Sequence, residues 1–240
     1  MNDRPPNSYA DARQHLIFDG DDTLWENNVY FERAIDDFIA YLDHSTLSPV
    51  EVRAVLDEIQ RANIAGHGYG AAMFGRSLRE CYEHLHQRQL DETALATVMG
   101  FADRILSHPM EVIAGVEETL ALLATRHDVA LLTKGHDEEQ RLKIERSGLA
   151  GYFDRTFVVP EKDTAVYREV VADLGSRPET TWMIGNAPRS DINPALAAGL
   201  NAVFLPHDLT WRLEHDEIAL AGAPGTLLVL ERFADLQRHF

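Results

Sequence analysis

The spacing of apolar residues changes twice along this chain. Leu16-Ile17-Phe18, after His15, is a short apolar run that stops abruptly at Asp19, as a buried strand ending in acids does. From Trp25 to about His108 the period is helical. Phe31, Ile35, Phe38 and Leu42 fall on one helix face. Ser48, Pro49 and Glu51 supply the N-cap, first-turn proline and capping-box acid of a second helix carrying Val52, Val55, Leu56 and Ile59. Phe74, Leu78, Cys81, Tyr82 and Leu85 mark a third helix. Asp91 caps a fourth, with Leu95, Val98, Met99, Ala102 and Leu106, and the loop Gly66 to Gly70 interrupts the series. Four helices without a strand predict a separate small bundle.

Beyond Pro109 strands and helices alternate. A helix over 116–125 precedes the apolar run Val129 to Leu132, and a second helix is capped by Asp137, with Gln140 three residues on. Strand 156–159, helix 165–174, strand 181–184, a helix ending at Gly199 and strand 202–205 follow, with a further strand over 226–230. Such alternation predicts an α/β fold, a doubly wound parallel sheet. The helical bundle is then an insert after the first strand. The expected division is a core of residues 14–24 and 109–240, an insert of 25–108 and a flexible N-terminal arm of 1–13.

Composition narrows the function. Hydrophobic residues make up 45%, enough for a packed core. No apolar run reaches the roughly 18 residues of a membrane span, and the polar N-terminal stretch lacks a signal-peptide core. The single cysteine, Cys81, excludes an internal disulfide and fits a reducing, cytoplasmic setting; it reads as a packing residue. Acidic residues outnumber basic ones, 39 to 22, for a net charge of −17. That charge argues against nucleic acid or an anionic membrane as partner. A phosphorylated ligand would be repelled too, so a phosphate site on this chain requires local positive charge. The eleven histidines show no zinc-site spacing, and Gly185 opens no dinucleotide-binding glycine pattern. Nothing specifies assembly, so monomer and homodimer both stand.

Ligands of open parallel sheets bind beyond the carboxyl ends of strands. The first strand ends in Asp19-Gly20-Asp21-Asp22-Thr23, the second in Thr133-Lys134-Gly135. The third is followed by Pro160-Glu161-Lys162-Asp163, and the fourth by Gly185-Asn186 and, five residues on, Asp191. Carboxylates, a hydroxyl and a lysine therefore converge on one sheet edge.

These four stations, in this order and over Leu16 to Leu205, resemble the motifs of the haloacid dehalogenase superfamily. The helical insert resembles that superfamily's α-helical cap of the C1 type, on a Rossmann-like core. The resemblance implies a Mg²⁺-dependent phosphatase in which Asp19 attacks phosphorus and forms an aspartyl phosphate. Asp21 would protonate the leaving oxygen and later activate water, with neighbouring carboxylates raising its pKa. Asp19, Asp191 and the backbone carbonyl of Asp21 would bind the metal. Lys162 would neutralise charge on Asp19 and the transferring group. Thr133, with Lys134 and Gly135, would hold the phosphoryl oxygens. Asn186 stands where many members carry aspartate, so it is expected to orient a metal-bound water or Asp191 and to weaken magnesium binding. Thr23 orders the first loop, and Asp22 reads as a turn residue. Trp25, Asn28, Tyr69 and Phe74 are candidates to face a substrate from the insert.

Asp21 favours phosphoryl chemistry, because a departing halide needs no proton. The leading expectation is hydrolysis of a small phosphorylated metabolite. A phosphomutase, a 2-haloacid dehalogenase and a non-catalytic phosphometabolite-binding protein are the alternatives.

Overall fold

The computed structural model describes residues 9–10, 12–87, 91–220 and 222–240. Six parallel strands form one sheet: β1 (His15–Phe18), β2 (Asp128–Lys134), β3 (Arg155–Val159), β4 (Thr181–Gly185), β5 (Asn201–Phe204) and β6 (Leu227–Val229). Their order across the sheet is β3-β2-β1-β4-β5-β6. The order reverses direction on either side of β1, and that crevice is where such sheets bind ligands.

Both sheet faces are covered, which is why the strands read as unbroken apolar runs. Along β1, Leu16 and Phe18 face one cluster, with Val129, Leu131, Trp182, Ile184 and Val203. Helix α5 (Val116–Leu123) and the C-terminal residues Phe233, Leu236 and Phe240 belong to it. Ile17 points the other way, with Ala130, Leu132 and Met183, and meets Tyr167 and Val170 of α7 (Thr164–Leu174) and Ala195 of α8 (Asn193–Ala197). Helix α6 (Asp137–Ser147) connects β2 to β3.

The chain divides into two compact units: residues 1–26 with 110–240, and residues 27–109. Trp25 and Glu26 thus belong with the sheet and not with the insert. The second unit holds α1 (Asn28–Leu42), α2 (Pro49–His67), α3 (Ala71–Leu85) and α4 (Glu92–Ser107). Ile35, Phe38, Leu56, Leu78, Cys81, Val98 and Ala102 form its core. The Ser48–Glu51 capping box and the Asp91 cap are both formed. Arg53 of α2 joins Glu32 of α1 at 2.6 Å and Asp57 at 2.9 Å. Among the described residues, no helix is long and apolar enough to cross a membrane.

Two local expectations need correction. Residues 1–8 and 11 of the proposed arm lie outside the described residues, but Tyr9 is anchored. Its ring lies 4.5 Å from Trp182 and 5.7 Å from Phe240, and its N–H donates to the His239 carbonyl. An aromatic ring that can bury against two others does not stay loose. Asp137 is the first residue of α6 and not its cap; the cap position falls to His136, without a side-chain bond.

Candidate active site

Asp19 follows β1 directly, and its N–H donates to the Ile184 carbonyl of β4. Its carboxylate accepts from Lys162 Nζ at 2.5 Å and lies 3.1 Å from the Thr23 hydroxyl. Lys162 stands one residue before Asp163, whose side chain caps α7 by accepting from the N–H groups of Ala165 and Val166. A well-made helix start therefore fixes the backbone that carries the lysine. Lys162 also donates to Asp191 Oδ1 at 2.8 Å.

Asp191 lies on a π-helical turn, Pro188–Ile192, after β4. Its second oxygen accepts from the Ala187 N–H at 3.0 Å. Such wide turns re-aim side chains at functional sites. The close approach explains Gly185: a Cβ there would fall 2.3 Å from Asp191 Oδ2.

All three groups are buried, so their charges interact strongly. Burial, and then the neighbouring Asp191, push the Asp19 carboxyl up to about 7, against the opposing pull of Lys162. Burial disfavours the Lys162 ammonium, but the two carboxylates outweigh it and hold the lysine above its ordinary value. Two acids share one cation.

Asp21 sits in a different setting. It accepts from the Trp25 indole N–H at 2.7 Å, from Lys143 Nζ at 2.7 and 2.9 Å, and from the Gln140 amide at 3.1 Å. Burial works to raise its carboxyl, but Lys143 and these hydrogen bonds prevail and hold it below the ordinary value. The expectation that neighbouring acids raise Asp21 is therefore corrected: Asp19 is raised, and Asp21 is lowered by its own lysine. Gln140 also accepts, through Oε1, from the buried Thr133 hydroxyl at 3.0 Å. One amide thus ties the end of β2 to the loop after β1.

Residues 14–199 match the family of haloacid dehalogenase-like hydrolases. The chain belongs to that family. Among solved structures, a haloacid dehalogenase-like family hydrolase from Xanthomonas campestris is 33% identical, with a TM-score of 0.78 over 93% of this chain and 92% of that one. Among curated relatives, a phosphoserine phosphatase of Thermus thermophilus is 31% identical over 86 residues, and a glyceraldehyde 3-phosphate phosphatase of Methanothermobacter thermautotrophicus is 26% identical over 105. The matched stretches span 34% and 46% of those relatives' lengths.

In this haloacid dehalogenase-like hydrolase the remaining residues fall as follows. Asn186 turns its oxygen to the Thr23 hydroxyl at 3.2 Å and its N–H to the Thr210 hydroxyl at 2.9 Å. Asp22 adopts a left-handed backbone, φ 60°, and donates its N–H to the Trp25 carbonyl, as a turn residue does. The Lys134 ammonium is held by Glu214 at 2.5 Å and Glu161 at 3.2 Å, so its charge is already answered by the protein. The Gly135 N–H donates to the Val159 carbonyl. Glycine is needed there: φ is +142°, and a Cβ would lie 2.9 Å from the Gln140 amide nitrogen. Trp25 does not face a substrate from the insert; its ring is buried in the sheet unit and its N–H holds Asp21. Within the helical unit, Asn28 is buried at the start of α1, Tyr69 is half-buried between two glycines, and Phe74 packs in the bundle core.

Sequence reasoning missed Gln140 and Lys143 as site residues. Their only signal was two long polar side chains three apart on the helix that follows Thr133, which places them on one helix face.

Proposed function

We propose that this haloacid dehalogenase-like hydrolase is a magnesium-dependent phosphatase acting on a small phosphorylated metabolite. The observation that carries the reading is the joint grip of Lys162 on Asp19 and Asp191. It leaves a net negative charge beside the carboxylate that would attack phosphorus. That excess suits a divalent cation. Oxygen donors of Asp19 and Asp191, with the backbone carbonyl of Asp21, are the hard ligands magnesium prefers. Bound there, the ion would supply positive charge to the phosphoryl oxygens.

Asp19 attacks phosphorus, and the bond from phosphorus to the leaving oxygen breaks as the aspartyl phosphate forms. Asp21, which Lys143 holds below its ordinary value in the free site, would take up a proton from solvent as substrate binds and deliver it to that oxygen, later take one from an attacking water, and inorganic phosphate would depart from Asp19. Lys162 offsets the charge on Asp19 and on the transferring group. The Thr133 hydroxyl donates to a phosphoryl oxygen once it turns from Gln140. Asp21 is the feature that favours this chemistry over dehalogenation, and both curated relatives are named as phosphatases.

Inorganic phosphate release from p-nitrophenyl phosphate and a metabolite panel, with and without magnesium, tests the reading. Activity should require magnesium and vanish in Asp19→Asn. Failure across the panel at saturating magnesium, or halide release from 2-haloacids instead, refutes it.

A further inference from the structure

Two side chains on one face of α6, Gln140 and Lys143, hold Asp21, while Trp25 holds it from within its own loop. Together they give the carboxylate four hydrogen bonds over its two oxygens. Gln140 is buried and has a second bond, to Thr133. An exposed surface ion pair would not be built this way. Asp21 is fixed in one rotamer by three residues, two of which reach it from a helix more than a hundred positions away in sequence.

We propose that Gln140 and Lys143 are positioning residues that set where the Asp21 carboxyl stands relative to the leaving group, with Gln140 coupling that position to Thr133. This rests on the phosphatase reading, because it presumes that Asp21 serves the leaving oxygen. Lys143 fixes the carboxyl laterally through contacts with both oxygens. Gln140 links two groups that must act on the same phosphoryl ester. When a phosphoryl oxygen takes the Thr133 hydroxyl, Gln140 loses its donor and its hold on Asp21 changes. Arrival of the phosphoryl group is thereby transmitted to the proton-carrying side chain. Misplacement of such a group by an ångström is costly to rate.

The test uses the full-length protein with magnesium and two substrates: p-nitrophenyl phosphate, whose leaving group departs without help, and an alkyl phosphate, whose leaving group needs a proton. The variants are Lys143→Met, Lys143→Arg and Gln140→Met, with thermal melting as the check on folding. In Lys143→Met, kcat for the alkyl ester should fall at least about tenfold further than kcat for the aryl ester. Gln140→Met should shift the same ratio in the same direction, which keeps the test decisive if Lys143→Met fails to fold. Lys143→Arg, which restores the cation, should recover most of the wild-type ratio. Equal losses on both substrates would mean a merely structural role and overturn the proposal. A raised KM with kcat intact would make Lys143 a substrate contact and overturn it as well. If the wild-type protein releases phosphate from neither ester, the phosphatase reading fails and takes this proposal with it. An active wild type with an unchanged ratio overturns the positioning role alone.

Discussion

Replacing Lys162 by methionine keeps the length of the side chain and removes its charge. The ammonium lies 2.5 Å from Asp19 and 2.8 Å from Asp191 and is almost wholly buried. At an effective dielectric of about 20, each contact is worth roughly 6 kcal/mol before desolvation. Desolvation of the ammonium cancels a large part of that sum, and removal of one partner from a buried ionic cluster typically costs about 3–5 kcal/mol. The variant also leaves two buried carboxylates facing each other. Asp19 already stands near 7 because of burial and Asp191; without the lysine it moves further up. The folded variant then binds more protons than the unfolded chain, so its stability must fall as pH rises. Urea denaturation at about pH 5 and about pH 8 reads this directly, with the larger loss expected at the higher pH. Saturating magnesium should return more stability to the variant than to the parent. A loss below about 1 kcal/mol at the higher pH, or a loss that does not grow with pH, would refute the shared-cation geometry.

Four further outcomes follow from the same contacts. Gly185→Ala should cost about 1–3 kcal/mol by overpacking and lower activity sharply, because the new methyl collides with Asp191; wild-type kinetics would contradict that crowding. Asn186→Asp should bind magnesium more tightly by calorimetry but be less stable without it, since the N–H donated to Thr210 is lost; unchanged affinity would remove Asn186 from the metal site. His127 is buried, its Nδ1 accepts from the Gln14 N–H, and burial lowers its pKa from 6.5. The unfolded chain therefore takes up the proton first, stability falls as pH drops below about 6.5, and His127→Gln should flatten that slope in thermal melts. Cys81 is buried and its thiol is pushed up to about 12 by burial, so alkylating reagents at neutral pH should label it only as fast as the protein unfolds.

The strands were legible because both sheet faces are buried, which leaves β1 and β4 as unbroken apolar runs ending at Asp19 and Gly185. The helices of the insert were legible from Ser48 and Asp91, whose capping is decided by three or four adjacent residues. What failed was long-range. Asp137 and Gln140 have the spacing of a capping pair, yet Gln140 turns from its own helix start to Asp21 and Thr133. Trp25 follows the first motif closely enough to read as the start of the insert, but its ring finds the sheet core and its N–H finds Asp21. Lys134 and Gly135 sit at a strand end, and the partners they take here, Glu214 80 residues away and the Val159 carbonyl, could not be read from their neighbours in sequence. Apart from the Trp25 N–H, whose partner Asp21 lies four residues back in the same loop, the deciding partner lies on another element, beyond the reach of local periodicity.

The division of lysines explains how two aspartates two residues apart come to differ. Lys143 bonds both oxygens of Asp21, so its charge is met. Asp19 must share Lys162 with Asp191, so one negative charge there is unmet. The two environments push neighbouring acids apart, Asp19 up and Asp21 down, and a cation bound at Asp19 would reverse the first of these shifts. The unmet charge also answers the difficulty posed by a surface of net charge −17. A divalent cation at Asp19 and Asp191, added to Lys162, turns the local sum from minus one to plus one. That reversal is confined to the buried strand ends, where a low dielectric makes it count most. An anion that the surface repels at long range is then held at short range only when the cation is in place. Phosphate affinity should therefore track magnesium occupancy, and a wild-type protein that binds inorganic phosphate equally well in chelator would sink this account of the site.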